Sequence, residues 1–148
     1  MQSIKAEQIA VGPMSVRFLI EAEESGGALT MFEFEVPGGV KLPAPHSHDA
    51  FEETIYGLEG VLSWTVGGQA TEIGSGDALT IPRGVVHSFD NPSGANARML
   101  AVATPGVFGP SYFRDVGEVL AKDGPPDVAT LAAVMRSHGL TPAPPAAG

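Results

Sequence analysis

The feature that most constrains this chain is its punctuation. Between Val16 and Thr104, each short run of strand-forming residues ends at a Gly, Pro or Asn turn signal. The breaks are Ser25-Gly26-Gly27, Pro37-Gly38-Gly39, Gly67-Gly68, Gly74-Ser75-Gly76-Asp77, Pro82-Arg83-Gly84 and Asn91-Pro92-Ser93-Gly94. Glycine reaches backbone conformations closed to other residues, and proline cannot donate to a sheet ladder, so such clusters end strands. With 19 Gly and 13 Pro in 148 residues, the chain exceeds the usual shares of roughly 7 % and 5 %. It cannot build a few long elements and must build many short ones.

The runs between the breaks read as strands: Val16 to Ala22, Leu29 to Val36, Glu53 to Leu58, Gly60 to Val66, Ala70 to Ile73, Ala78 to Ile81, Val85 to Asp90 and Arg98 to Thr104. In the second, Phe32, Phe34 and Val36 fall on one face and Met31, Glu33 and Glu35 on the other, the alternation of a half-buried strand. Lys41-Leu42-Pro43-Ala44-Pro45 is too proline-rich for a central strand and reads as an edge or loop segment leading into His46. Many short strands predict an all-β sandwich or small barrel.

After Pro105 the period changes. Tyr112, Phe113, Val116, Val119 and Leu120 recur at helical spacing, as do Val128, Leu131, Ala132, Val134 and Met135. Asp127 can cap the second helix and Gly139 can end it. The expected organisation is a barrel over residues 1–109, two helices over 110–140 packed on its outside, and a mobile Pro/Ala tail over 141–148.

Composition removes several functions. With no cysteine there can be no disulfide, thiolate nucleophile or Cys-held cluster. Met1 to Ala10 lacks the apolar core of a signal peptide, and no run is long and apolar enough to span a membrane. The expectation is a soluble, cytoplasmic protein. A net charge of −9, with eight scattered Lys and Arg, offers no basic patch for nucleic acid. The densest acidic run, Glu21-Ala22-Glu23-Glu24, reads as a solvated hairpin loop.

The chemistry lies in the histidines. In His46-Ser47-His48 the two imidazoles are two residues apart, so on an extended backbone they share a face. Two imidazoles aimed at one point begin a metal site. Glu52 and Glu53 follow closely, and His87 ends the segment Gly76 to His87. Glu52 keeps the parity of His46 and His48, whereas Glu53 requires the chain to turn first. His138 sits beside Gly139 at the last helix end, where a cation suits the helix dipole, and reads as structural. His87, Ser88 and Asp90 are sequence neighbours without a nucleophile elbow and make no hydrolase triad.

Taken together, the two segments resemble the cupin superfamily. Its first motif, G-x5-or-6-H-x-H-x3-or-4-E-x6-G, is similar to Gly39, His46, His48, Glu53 and Gly60; its second, G-x5-P-x-G-x2-H-x3-N, to Gly76, Pro82, Gly84, His87 and Asn91. Ten fixed positions match, and at roughly 5 % per position the chance is on the order of 10⁻¹³ before sliding is allowed for. The resemblance spans 39–60 and 76–91.

The resemblance implies a double-stranded β-helix, or jelly-roll, barrel carrying a short C-terminal helical segment. It implies one divalent transition metal (Fe, Mn, Ni, Cu or Zn) held by His46, His48, Glu53 and His87, with Glu53 preferred over Glu52 by its spacing to Gly60. Glu53 could also serve as a general base. Asn91 and the four glycines are structural. Phe32, Phe34, Trp64, Phe89 and Met99 are candidates to line a pocket for a small-molecule substrate, and Arg83 could meet an anionic one. The implied function is a metal-dependent dioxygenase acting on a small oxygen-rich molecule. A Lewis-acid isomerase or lyase, or a non-catalytic binding barrel, uses the same architecture. A homodimer is a further implication of the family.

Overall fold

The computed structural model describes residues 6–40 and 44–143. In chain order its elements are β1 (Gln8–Val11), β2 (Met14–Ile20), β3 (Thr30–Val36), β4 (His46–His48), β5 (Glu52–Glu59), β6 (Leu62–Val66), β7 (Gln69–Ile73), β8 (Ala78–Ile81), β9 (His87–Asp90), β10 (Ala97–Thr104), α1 (Pro110–Leu120), α2 (Val128–Ser137) and β11 (Leu140–Pro142). The strands form two antiparallel sheets, ordered β1-β2-β3-β10-β5-β8 and β11-β4-β9-β6-β7. The two sheets face each other as a jelly roll, the all-β architecture expected from the punctuation.

The alternation in β3 is kept: Phe32, Phe34 and Val36 are buried and the residues between them are half-buried. The central strand β10 explains how these rings fit. Its inward residues include Ala97, Met99, Ala101 and Ala103, all fully buried. Ala101 lies between Phe32 and Ile55, and Ala103 between Thr30 and Glu53. Small side chains on the middle strand leave the interior to large ones on its neighbours, the interdigitation a tight core requires.

The motif glycines Gly39, Gly60, Gly76 and Gly84 all have positive φ. Gly60 shows why no other residue serves: its φ is 66°, and a Cβ there would lie 2.3 Å from the carbonyl oxygen of Asn96. Asn91 is the structural residue the sequence implies. Its amide donates to the carbonyls of Val36 (3.0 Å) and Ala95 (2.8 Å), and its oxygen accepts from the amide and hydroxyl of Ser93. It thereby ties β3 to the turn after β9.

Several expectations shift. The acidic run forms a short 3₁₀ turn over Ala22–Ser25, with Glu21 and Glu24 capping each other. Val85 and Val86 belong to the turn before β9 rather than to the strand. Three strands were not anticipated: β1, β4 and β11. Thr141 and Pro142, read as the start of a tail, pair instead with Ser47 and His46 of β4. They hold because β4 is a three-residue strand needing a neighbour on its free edge, a long-range demand with no local signature. The rest of the tail, 144–148, lies outside the described residues, as do Lys41, Leu42 and Pro43 of the proline-rich segment.

Both helices form where their apolar period predicts. Asp127 caps α2, accepting from the Thr130 amide at 3.2 Å, and His138 at its other end bonds Asp115 of α1 at 2.7 Å. That contact joins the two helices, the structural role expected of His138. Helix α1 packs mainly on β1. Among the described residues, no helix is long and apolar enough to cross a membrane.

Candidate metal centre

The cluster begins with a register. His46 on β4 is the cross-strand partner of His87 on β9. Two histidines 41 positions apart in sequence are thus brought side by side by a single strand pair. The turn carrying Gly84 locks against the same strand, its amide donating to the His48 carbonyl at 2.8 Å. His46, His48 and His87 each offer a ring nitrogen, and these atoms lie within 4.8 Å of one another.

Backbone hydrogen bonds set two of the rings. Nδ1 of His46 lies 2.8 Å from the Ala44 carbonyl, and Nδ1 of His87 lies 3.0 Å from that of Val85. A carbonyl only accepts, so Nδ1 carries the proton and Nε2 keeps the lone pair. His48 is held differently: its ring stacks on Phe51, centroids 4.2 Å apart, and its buried Nδ1 has no partner among the described residues.

Burial and mutual proximity keep these rings neutral. His46 is lowered to about 4, by burial first and then by His87. His48 is lowered to about 2, by burial and then by His87 and His46. Burial also lowers His87. Three neutral imidazoles with convergent lone pairs, two oriented by carbonyl acceptors, are what a divalent transition metal takes as ligands. The donor set therefore fits the metal that the sequence implies.

The two candidate carboxylates separate cleanly. Between β4 and β5 the chain bends at Asp49 and Ala50 and crosses from one sheet to the other. On β5, Glu53 falls on the inward row with Ile55 and Gly57, while Glu52 falls on the outward row. Glu52 is paired at the surface with Arg83, which accounts for both residues. Glu53 lines the same cavity as the three histidines. Burial pushes its carboxyl up to about 8. The group of converging atoms contains the three histidines and not Glu53, which lines the same cavity.

The cavity has an apolar body. Phe32, Phe34, Trp64 and Phe89, all expected at the pocket, line it. Trp64 packs on Phe89 at 4.6 Å, and Phe34 on Phe89 at 5.2 Å. Met99 does not line it and is fully buried in the core. The larger difference is the far wall, built from Phe108, Tyr112, Phe113, Val116, Leu131 and Met135. The helices do not only pack outside the barrel; they also line its cavity. Their apolar period was visible, but a period shows that a face is buried, not against what. Tyr112 is buried there, and burial, then the Glu53 carboxylate, hold its phenol above the usual tyrosine range.

The comparisons agree with this geometry. Residues 32–103 match the family model described as "Cupin domain". The chain is 29 % identical over 118 residues to a quercetin 2,3-dioxygenase of Bacillus subtilis (strain 168), covering 80 % of this chain and 34 % of that protein. It thus spans about a third of that relative's length. Among solved structures, it resembles the polyketide cyclase RemF of Streptomyces resistomycificus (27 % identity, TM-score 0.59, 83 % of this chain and 92 % of that one). It shares a fold with a predicted oxalate decarboxylase of Thermotoga maritima (22 % identity, TM-score 0.61, 70 % and 96 % covered). With both motifs in place and the histidines converging, residues 32–103 of this chain form a cupin domain.

Proposed function

We propose that this cupin is a metal-dependent dioxygenase acting on a small, oxygen-bearing organic molecule. The observation that carries the reading is the convergence of three neutral imidazoles at the wall of a largely apolar cavity. In this reading His46, His48 and His87 hold the metal, and Glu53 is its carboxylate partner. When bound, the metal supplies Lewis acidity and, if redox-active, a route to O₂ chemistry.

The chain's own residues would do the rest. The aromatic walls exclude water, which strengthens every polar interaction inside. Glu53 holds its proton in the metal-free cavity; a cation nearby favours the carboxylate instead. That contrast suits a group that ligates in one state and carries a substrate proton in another. The similarity to a quercetin dioxygenase supports oxygen chemistry.

A second reading has its own support. The polyketide cyclase RemF is similar over most of both chains, which favours a metal used only as a Lewis acid, without O₂. The test is metal analysis of untagged protein, followed by an oxygen electrode with flavonols, catechols and diketones. Stoichiometric Fe, Mn, Cu or Ni with substrate-dependent O₂ uptake supports the dioxygenase. Turnover that persists without O₂ replaces it with the second reading. Protein that neither carries nor takes up metal overturns both and leaves a binding barrel.

A further inference from the structure

The described polar groups of the cavity are few, and most have a role already. The three histidines and Glu53 form the candidate centre. Trp64 carries an unpartnered Nε1, but that atom is sealed from the cavity space. Ser88 alternates on β9 with the inward His87 and Phe89, so its side chain points away. Tyr112 is what remains.

Tyr112 is 5 % exposed, yet its hydroxyl has no hydrogen-bond partner among the described residues. That atom is not sealed as the Trp64 nitrogen is, and the residue lines the cavity. Its ring is fixed on three sides: Phe108 at 5.2 Å, Phe113 edge-on at 5.1 Å and His138 edge-on at 5.5 Å. His138 is itself held by Asp115. Phe108 also packs near His48, centroids 6.1 Å apart, so one ring lies between Tyr112 and the histidine cluster in the contact chain. A rigidly held donor that lines the same cavity as the three histidines and Glu53, with no hydrogen bond to the described residues, is free to meet an acceptor that arrives with the ligand.

We infer that Tyr112 contacts the substrate, its phenol donating a hydrogen bond to an oxygen of a ligand held at the histidine cluster. The helical cap thus supplies a recognition group, and the preferred ligand carries an anionic or enolic oxygen at the metal with a flat apolar body against Phe34, Trp64 and Phe89. This rests on the metal reading above. It does not depend on whether the reaction uses O₂.

The test uses the full chain loaded with Co(II) and kept free of O₂, and 4-nitrocatechol followed by its visible spectrum. Tyr112→Phe should keep full Co(II) content and bind 4-nitrocatechol about tenfold more weakly, the loss expected for one hydrogen bond to a charged oxygen. Its affinity for pyridine, whose single lone pair is used on the metal, should stay within about twofold. A general packing defect would weaken both probes. Should Tyr112→Phe fold poorly, the wild type labelled with 3-fluorotyrosine gives a second readout. The chain has two tyrosines, and Tyr56 is exposed, so Tyr56→Phe assigns the remaining ¹⁹F signal. That signal should shift when 4-nitrocatechol binds. Equal 4-nitrocatechol affinity in Tyr112→Phe, or wild-type Co(II) protein that does not bind it, overturns the inference and leaves the metal reading intact. Wild-type protein that takes up no Co(II) overturns both.

Discussion

The barrel wall and the helical cap face one cavity with different chemistry and different support. The wall presents three imidazoles and a buried carboxyl, each placed by a strand paired on both sides. The cap presents apolar side chains and one phenol, on two helices tied to each other through His138 and Asp115 and to the barrel by β1 and β11. A site whose lone pairs must converge needs the stiffer support, because small displacements cost affinity steeply. A surface that admits and releases a ligand needs the looser one. The join between them is specific: β11, at the end of the cap, pairs with β4, the strand of His46 and His48. Thr141 adds a bond to Asp49 at 2.7 Å. Movement of the cap is therefore felt at the strand that aims two of the candidate ligands.

The sharpest way to break this contrast is to remove a wall imidazole. His48→Ala or His87→Ala should reduce metal affinity by more than about 100-fold, since loss of mere supporting partners already costs 10–100-fold. Elemental analysis after dialysis reads the result, and full occupancy in either variant would reject the ligand set. Truncating the wall should also cost more than truncating the cap. Ile55→Ala, at a fully buried position of β5, should destabilise the fold by about 2–5 kcal/mol in chemical denaturation. Leu131→Ala on α2 should act mainly locally, raising hydrogen exchange over 110–142 before it lowers the global midpoint. Equal global effects would show that wall and cap unfold as one unit.

Metal-free protein should show the wall's electrostatics in its pH dependence. The histidines are lowered on folding, so the unfolded chain binds more protons below 6.5 and stability falls as pH drops from 6.5 toward 4. Glu53 is raised, so its contribution is complete below 4.5 and is lost as pH rises toward 8. Three groups outweigh one between 4.5 and 6.5, which places the maximum near 6.5. Thermal melts of chelated protein across that range should trace a dome, and Glu53→Gln should abolish the decline on its alkaline side. A flat profile would contradict the buried, neutral cluster. The smallest effect belongs to the cap's own start signal. Asp127→Ala removes the bond to the Thr130 amide and should cost about 1 kcal/mol, with metal content unchanged.

Local signals carried much of this architecture. Turn residues delimited β5 to β8 within a residue or two, because Gly and Pro act on their own backbone whatever surrounds them. The alternation of β3 and the helical period beyond Pro105 told which faces are buried, because burial periodicity follows from element geometry alone. The two motifs identified His46, His48 and His87 as one group, and Glu53 rather than Glu52 as the inward carboxyl. Pairing and closure were decided elsewhere. Nothing local in Leu140-Thr141-Pro142 says strand; it is one because β4 offers an edge. Nothing in Tyr112 distinguishes a core ring from a cavity phenol until the helices pack on the barrel and bring it to the cavity that Glu53 lines. The sequence determines what each segment can do with its own backbone and faces; which distant segment completes it is a property of contacts that exist only once the chain has closed.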